Sequence, residues 1–218
     1  MRAALPPGGG PLYPVRRMTA DASALPTDRR ILAVAEDHVR RFGMERTTVT
    51  SVAKGAGMTH ANVYRYFPSK TALNDAVTAL WLRELEALVT GIADAPDPAG
   101  DKLERLLLAV MRAHRERIEV DPNLYDLAVD AFTENRPVAR NHRARLRDLI
   151  ERIVEEGVST DVFPLPVRDR AIGLVFDLAY RFVNPHAIRL DRSIPPRVIE
   201  TRHAAAAQAL VRALRTAV

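Results

Sequence analysis

The residues from Thr59 to Asn62 carry side chains suited to the edges of nucleic-acid bases. An asparagine such as Asn62 pairs bidentately with adenine, and a histidine such as His60 can donate to guanine. The methyl group of Ala61 can pack against the methyl group of thymine. Because these residues are consecutive, a helix that begins at Thr59 presents them in its first turn, which is where base-reading helices contact DNA.

Groups suited to phosphate oxygens flank this stretch on both sides. Hydroxyl, phenol and ammonium groups donate to phosphate, and helix N-termini add backbone N–H donors. We therefore predict that Thr47, Thr48, Tyr64, Tyr66 and Lys70 hold the DNA backbone. The complete set of predicted DNA contacts is Thr47, Thr48, Thr59, His60, Ala61, Asn62, Tyr64, Arg65, Tyr66 and Lys70.

The segment that must position these side chains is predicted to be a helix-turn-helix over about residues 48–67. Thr48 and Thr59 are placed to cap two short helices, since a threonine hydroxyl accepts from an unpaired backbone N–H. Gly57 lies between the helices, where the chain must turn with positive φ. Gly55 interrupts the first helix and is expected to destabilise it by about 1 kcal/mol relative to alanine. The apolar residues expected to anchor the motif are Val49, Val52, Ala53, Ala56, Met58, Val63 and Phe67.

This pattern resembles the DNA-binding domain of the TetR family of one-component bacterial regulators. The residues that carry the resemblance are Thr48, Val52-Ala53, Ala56-Gly57-Met58-Thr59, Val63-Tyr64-Tyr66-Phe67 and Lys70-Leu73, with an upstream extension over Ile31–Gly43. His60-Ala61-Asn62 replaces the commoner Lys-Gly-Thr type of sequence, so the DNA sequence that a relative binds does not transfer to this chain.

The distribution of charge supports a DNA-binding N-terminal part. The chain of 218 residues has a formal net charge of +5. Residues 1–78 contain 11 Lys and Arg against 6 Asp and Glu, whereas residues 79–218 contain 21 of each. The whole excess therefore lies beside the predicted helix-turn-helix, as expected of a surface that binds phosphate.

Apolar residues recur at helical spacing along the rest of the chain, and no segment alternates like a strand, so we predict an all-α fold. Residues 1–26 are rich in Pro, Gly and Ala and are predicted to form a disordered tail. The resemblance implies a helix-turn-helix DNA-binding domain over residues 27–88 and a helical domain for effector binding and dimerisation over residues 98–218. Helices are expected over about Thr27–Phe42, from Ser69 to about Leu88, and over Leu103–His114, Leu124–Phe132, Pro137–Gly157, Asp169–Val183 and Pro196 to the end.

The last two predicted helices have compositions typical of a subunit interface. The helix over Asp169–Val183 is apolar on nearly all sides, and the helix from Pro196 is rich in alanine, which lets another helix approach closely. The resemblance implies that these helices form a homodimer through a four-helix interface, and the alternative is an ordinary core within one chain. Two recognition helices held by a dimer read a palindromic operator in double-stranded DNA.

The resemblance also implies a pocket for a small-molecule effector among the C-terminal helices. Candidates are polar or aromatic residues on otherwise apolar helix faces, namely His114, Tyr125, Phe132 and Asp177. The alternative for His114 is a hydrogen-bonded histidine of the core. Arginines 136, 140, 143, 145 and 147 form a basic helix, which is expected to be a solvated face rather than an anion site.

Other features exclude several classes of protein. The absence of cysteine rules out disulfides, a thiol nucleophile and cysteine-ligated zinc, and no apolar run approaches the roughly 20 residues of a membrane helix. We expect no cofactor, no metal and no enzymatic activity, because neither a nucleotide-binding glycine motif nor a His/carboxylate pair at metal-binding spacing is present. The expected function is that of a cytoplasmic, sequence-specific transcriptional repressor. The alternatives are a DNA-binding protein without sequence preference and a member of the family without a small-molecule effector.

Overall fold

Ten helices and no strand make up the part of the chain that the computed structural model describes, residues 25–164 and 168–216. The all-α prediction is confirmed. The predicted tail lies outside the described residues, apart from residues 25 and 26. In chain order the helices are α1 (Thr27–Arg46), α2 (Val49–Gly55), α3 (His60–Tyr66), α4 (Lys70–Ala93), α5 (Ala99–Val120), α6 (Pro122–Thr133), α7 (Pro137–Ser159), α8 (Arg168–Val183), α9 (Pro185–Leu190) and α10 (Pro196–Thr216).

A first apolar cluster, here called the N-terminal core, holds the helix-turn-helix against its neighbours. It is built mainly from helices α1 to α4, whose apolar residues recur every three or four positions and so face one side of each helix. Its buried residues are Ile31, Leu32, Ala35, Val39, Val49, Val52, Ala53, Val63, Leu73, Val77, Leu124 and Leu127.

Phe42 does not belong to this core, although its spacing from Val39 predicts that it would. The side chain is 51% exposed, and its ring packs on His38 with centroids 5.6 Å apart. At the next residue, Gly43, the backbone leaves the helical conformation with φ 77° and ψ 168°. Phe42 therefore lies in the last regular turn of the helix, on the side of His38 and away from the apolar cluster.

A second and larger cluster, here called the C-terminal core, fills the space between the later helices. It contains residues of α4, α5, α6, α7, α8 and α10, including Trp81, Leu103, Tyr125, Ile153 and Leu210. Helix α4 contributes to both cores, with Leu73 and Val77 in the first and the residues from Trp81 onward in the second. It therefore connects the helix-turn-helix to the rest of the molecule through one continuous element.

Helix α6 also connects the two cores. Leu124 and Leu127 lie in the N-terminal core, whereas Tyr125, Ala128 and Val129 of the same helix lie in the C-terminal core. Both faces of this helix are therefore buried, each against a different part of the molecule.

Polar contacts reinforce the link between α1 and the start of α6. The guanidinium Nε of Arg40 lies 2.8 Å from Oδ1 of the buried Asp121, and Arg117 pairs with the other oxygen of Asp121 at 3.1 Å. The side-chain amide of Asn123 donates to the backbone carbonyl of Arg40 at 3.0 Å. The N-terminus of α6 is thus fixed to the helix that supports the helix-turn-helix.

Candidate nucleic-acid interface and buried polar cluster

Helix α2 begins with a reciprocal pair of hydrogen bonds. The hydroxyl of Thr48 accepts from the backbone N–H of Ser51 at 3.0 Å, and the hydroxyl of Ser51 accepts from the backbone N–H of Thr48 at 3.1 Å. This arrangement satisfies two N–H groups that the helix itself leaves unpaired. The sequence predicted the cap at Thr48 but not the contribution of Ser51.

Gly57 and Gly55 are glycines for different structural reasons. Gly57 has φ 64° and no atom within 4 Å of where a Cβ would lie, so it serves the conformation of the turn. A Cβ on Gly55 would lie 2.7 Å from Cγ1 of Val34 on α1. Gly55 is therefore needed because α2 packs closely on α1, whereas the sequence indicated only an unfavourable helix propensity.

Helix α3 is capped by Thr59, whose hydroxyl accepts from the backbone N–H of Asn62 at 3.3 Å. Val63 is completely buried and anchors one side of this short helix in the N-terminal core. The opposite side is exposed, with the ring of His60 meeting that of Tyr64 edge to face at 4.6 Å between centroids. The burial of one residue thus fixes which side of α3 faces outward.

Most of the predicted DNA-contact set lies on this exposed side or next to it. Lys70 is half-buried at the start of α4. Arg65 places its guanidinium over the ring of Tyr66 at 5.3 Å, and hydrogen bonds from Arg65 and Thr27 lower the pKa of the Tyr66 phenol. The exposed members of the set are Thr48, Thr59, His60, Ala61, Asn62, Tyr64, Arg65 and Tyr66.

Thr47 is the exception, and its position corrects the assignment. Its side chain is only 2% exposed, and its hydroxyl donates to the backbone carbonyl of Gly43 at 2.9 Å. The hydroxyl is engaged at the C-terminal end of α1, so it faces the interior rather than a phosphate. We leave Thr47 out of the interface.

Two of the predicted effector residues meet inside the C-terminal core. His114 and Tyr125 are both fully buried, and Nδ1 of His114 lies 3.2 Å from the phenol oxygen of Tyr125. The phenol in turn donates to the carbonyl of Pro185 at 3.2 Å. Burial lowers the pKa of His114 to about 3, with a further contribution from His142, and burial raises the pKa of Tyr125. Both groups are therefore neutral near pH 7.

The other two effector candidates lie elsewhere. Phe132 is half-buried and packs edge to face on His142 at 5.9 Å between centroids. Asp177 is exposed on α8, which corrects its assignment to an interior site. Its helix looks apolar on nearly every side in the sequence, but in the folded chain one side of α8, which includes Asp177, is not covered.

The buried pair of His114 and Tyr125, together with Trp81, Glu86 and His142, is here called the buried polar cluster. The last three residues were not among the predicted site residues. The ring of Trp81 meets that of His114 edge to face, with centroids 5.0 Å apart. Glu86 accepts from Nδ1 of the buried His142 at 2.8 Å and pairs with Arg145 at 2.8 Å through its second oxygen. The sequence pattern indicates only that Trp81 is an apolar anchor of α4. Glu86 is a carboxylate within the apolar stretch of the same helix, and this feature of the sequence could have identified it as a site residue.

Arginines on α7 and at its N-cap have partners within the chain. Arg136 pairs with Asp75 at 3.1 Å and with Asp130 at 2.7 Å. Arg147 lies over the ring of Phe176 at 4.9 Å. Arg136 is thus held in the fold rather than solvated, whereas Arg145 and Arg147 are exposed.

Helices α8 and α10 pack on each other and leave apolar groups on their outer sides. Leu178 is 44% exposed and Tyr180 is 59% exposed. On α10, Ala204, Ala205 and Ala209 are exposed. The exposed surface of this helix pair therefore combines apolar groups and small alanines with charged residues such as Asp177 and Arg181.

No helix within the described residues is long and apolar enough to cross a membrane. In the same part of the chain, no group of three or more His, Asp or Glu side chains is placed to hold a metal ion.

Comparisons with known proteins cover both halves of the molecule. Residues 31–77 match the bacterial regulatory proteins of the tetR family, and residues 99–193 match the tetracyclin repressor-like C-terminal domain. No curated protein matches the sequence.

Solved structures of several regulators share the fold. The TetR family regulator PfmR from Thermus thermophilus is 24% identical with a TM-score of 0.56, over 84% of this chain and 97% of that one. A transcriptional regulator from Cytophaga hutchinsonii is 16% identical with a TM-score of 0.61, over 86% and 97%. FadR from Bacillus subtilis, solved in complex with stearoyl-CoA, is 17% identical with a TM-score of 0.55, over 86% and 97%.

Proposed function

We infer that this chain, which belongs to the TetR family of DNA-binding transcriptional regulators, is a homodimeric repressor that a small-molecule effector releases from a palindromic operator. Members of this family are transcription factors and not enzymes, so the chain is a DNA-binding regulator. The homodimer, the operator symmetry, the repression and the effector are our proposal. We also propose that residues 27–88 bind DNA and residues 98–218 bind the effector and the second subunit.

The observation that carries the proposal is the exposed side of α3. Burial of Val63 turns His60, Ala61 and Asn62 outward, and the cap at Thr59 holds the first turn of the helix. Asn62 uses only its backbone N–H in this cap, so its side-chain amide is available to a base edge. An exposed, capped recognition helix with such side chains supports base readout in the major groove.

The short length of α3, the proposed reader of the DNA bases, favours a dimer. Helix α3 spans seven residues, so one copy contacts few base pairs. Two copies related by a two-fold axis read both halves of a palindrome. The exposed Leu178 on α8 and the exposed alanines of α10 support an interface on this helix pair, because apolar side chains gain from being removed from water.

The effector response is supported by the construction of the two cores. FadR from Bacillus subtilis, which shares the fold, was solved in complex with stearoyl-CoA. In this chain the buried pair of His114 and Tyr125 lies in the C-terminal core, and Tyr125 is on α6, which also contributes to the N-terminal core. A ligand that binds one arrangement of α6 more tightly than another shifts the readers between binding and release. Because its target is chromosomal DNA, we expect the protein in the bacterial cytoplasm.

The test is selection of bound sequences from a random duplex pool at near-physiological salt, using the full chain. Enrichment of a palindrome supports the proposal and identifies the operator. Binding without enrichment, with a steep dependence on salt, favours the alternative of a DNA-binding protein without sequence preference. Absence of any binding contradicts the assignment of α3 as a reader.

A further inference from the structure

Three buried polar atoms of the C-terminal core have no hydrogen-bond partner within the described residues. They are Nε1 of Trp81, Nε2 of His114 and Nε2 of His142. The three side chains are 4%, 0% and 1% exposed, respectively. Buried polar groups are normally hydrogen-bonded, so three exceptions on neighbouring helices require an explanation.

The hydrogen bonds at Nδ1 of His114 and at the phenol of Tyr125 determine whether Nε2 of His114 is a donor or an acceptor. The phenol of Tyr125 donates to the carbonyl of Pro185, so its oxygen is left to accept from Nδ1–H of His114. In this tautomer Nε2 carries a lone pair and is an acceptor. His114 is neutral near pH 7, since burial holds its pKa at about 3.

Trp81 supplies the complementary group. The indole N–H is a donor only, and the Trp81 ring lies 5.0 Å from the ring of His114 between centroids. A donor and an acceptor, both without partners, thus belong to two rings that are in contact in an apolar core. A hydroxyl group, which both donates and accepts, matches this pair.

His142 adds a further buried nitrogen on α7. Its Nδ1–H donates to the carboxylate of Glu86 at 2.8 Å, and its Nε2 atom has no hydrogen-bond partner within the described residues. The positive charge of Arg145 is paired with the same carboxylate at 2.8 Å.

We propose that Trp81 and His114 form the polar end of an effector site for a small, neutral, apolar compound that carries a hydroxyl group. The ligand hydroxyl donates to Nε2 of His114 and accepts from Nε1–H of Trp81, and the apolar part of the ligand lies among the side chains of the C-terminal core. This inference rests on the proposed effector-responsive function and specifies the chemical class of the effector.

The burial of these side chains also connects the proposed effector site to the recognition helix α3. Because Trp81, His114 and Tyr125 are almost completely covered, a ligand reaches them only when the helices around them part. Tyr125 is on α6, and Leu127 of that helix is buried in the N-terminal core. Ligand entry therefore displaces an element whose other face supports the helix-turn-helix.

Trp81 is the only tryptophan of the chain, so its fluorescence reports directly on this site. Phenol and toluene form a matched pair of probes, because they have the same ring and differ in the hydroxyl. In the full chain we expect phenol to change the emission of Trp81 in a saturable manner and to bind about tenfold more tightly than toluene. Equal affinities for the two probes, or no response to phenol, overturn the proposal.

Substitution of His114 tests the acceptor. His114→Phe keeps an aromatic ring but removes Nε2, and it should abolish the preference for phenol over toluene. The same substitution at the exposed His186 is the control and should leave the preference intact. A retained preference in His114→Phe overturns the proposal. If this variant does not fold, the comparison of the two probes on the unmodified chain decides alone.

The fluorescence titration contains no DNA. Failure of the phenol titration therefore removes this site and leaves operator binding untouched. Failure of the duplex selection removes the proposed regulator and leaves any phenol binding as it was measured.

Discussion

At the scale of single residues, the exposed amide of Asn62 is the group best placed to distinguish one base from another. It lies in the first turn of α3, and only its backbone N–H is engaged by the Thr59 cap. We expect Asn62→Ala to relax the preference at one position of the operator by about 1–3 kcal/mol. Repeating the duplex selection with the variant measures this effect.

Two variants at predicted phosphate contacts separate this effect from general binding, and a third variant is the control. Tyr64→Ala and Lys70→Ala should weaken binding to all sequences alike, because phosphate contacts carry no sequence information. Asn141→Ala removes an exposed amide on α7, remote from α3 in the sequence, and should change nothing. An unchanged selected sequence for Asn62→Ala means that Asn62 does not contact a base.

A second residue-scale prediction concerns Gly55. Alanine is the better helix former, so propensity alone predicts that Gly55→Ala stabilises the protein by about 1 kcal/mol. The added Cβ would lie 2.7 Å from Cγ1 of Val34, a stiff β-branched side chain, so we expect destabilisation by about 1–3 kcal/mol instead. Urea denaturation of the variant measures the sign.

Gly91 is the matched control for this substitution. It lies inside α4, is exposed, and has no atom within 4 Å of an added Cβ. Gly91→Ala should stabilise the protein by about 0.5–1 kcal/mol. If the two variants shift stability in the same direction, close packing between α1 and α2 does not determine the role of Gly55.

At the scale of secondary structure elements, α6 has a role that its sequence does not show. Leu127 is completely buried in the N-terminal core, although it lies far along the chain from the helix-turn-helix. Leu127→Ala should destabilise the protein by about 2–5 kcal/mol and weaken operator binding. Leu190→Ala is the control, since Leu190 is 71% exposed and a surface change of this kind is worth about 0.5 kcal/mol or less.

Measurement of both properties tests the connection between the cores. Urea unfolding followed by Trp81 fluorescence reports on the C-terminal core, and fluorescence anisotropy of labelled operator reports on the readers. If Leu127→Ala loses stability but binds the operator with unchanged affinity under native conditions, α6 does not support the helix-turn-helix.

Helical periodicity predicted most elements because each long helix buries one apolar stripe, as in α5 and α7. It did not predict α9 as a separate helix, since six residues are too few for a repeating pattern. The cap of α9 is Asn184, whose side chain accepts from the backbone N–H of His186 at 2.9 Å.

Some site residues were likewise predicted from local patterns, and others were not. The cap and the exposed face of α3 depend on residues that are close in the sequence, and they were predicted. The burial of Thr47 and the joining of Trp81 to His114 depend on contacts between distant segments, which one sequence does not encode in any local pattern.

At the scale of the whole molecule, the proposed interface on α8 and α10 would bring two copies of α3 together on one operator. Leu178 is 44% exposed on this helix pair, and in the proposed dimer a carboxylate placed there would be buried against the second subunit. We expect Leu178→Glu to convert the proposed dimer to a monomer and to abolish tight operator binding, because a single α3 then reads only half of the proposed palindrome. Light scattering after size-exclusion chromatography gives the mass, and anisotropy gives the affinity.

Leu190→Glu introduces the same charge at a leucine that is 71% exposed on α9, outside the α8 and α10 face, and it should remain dimeric. A monomeric unmodified chain, or a Leu178→Glu variant that stays dimeric and binds as before, would place the interface elsewhere and remove this face from the proposal.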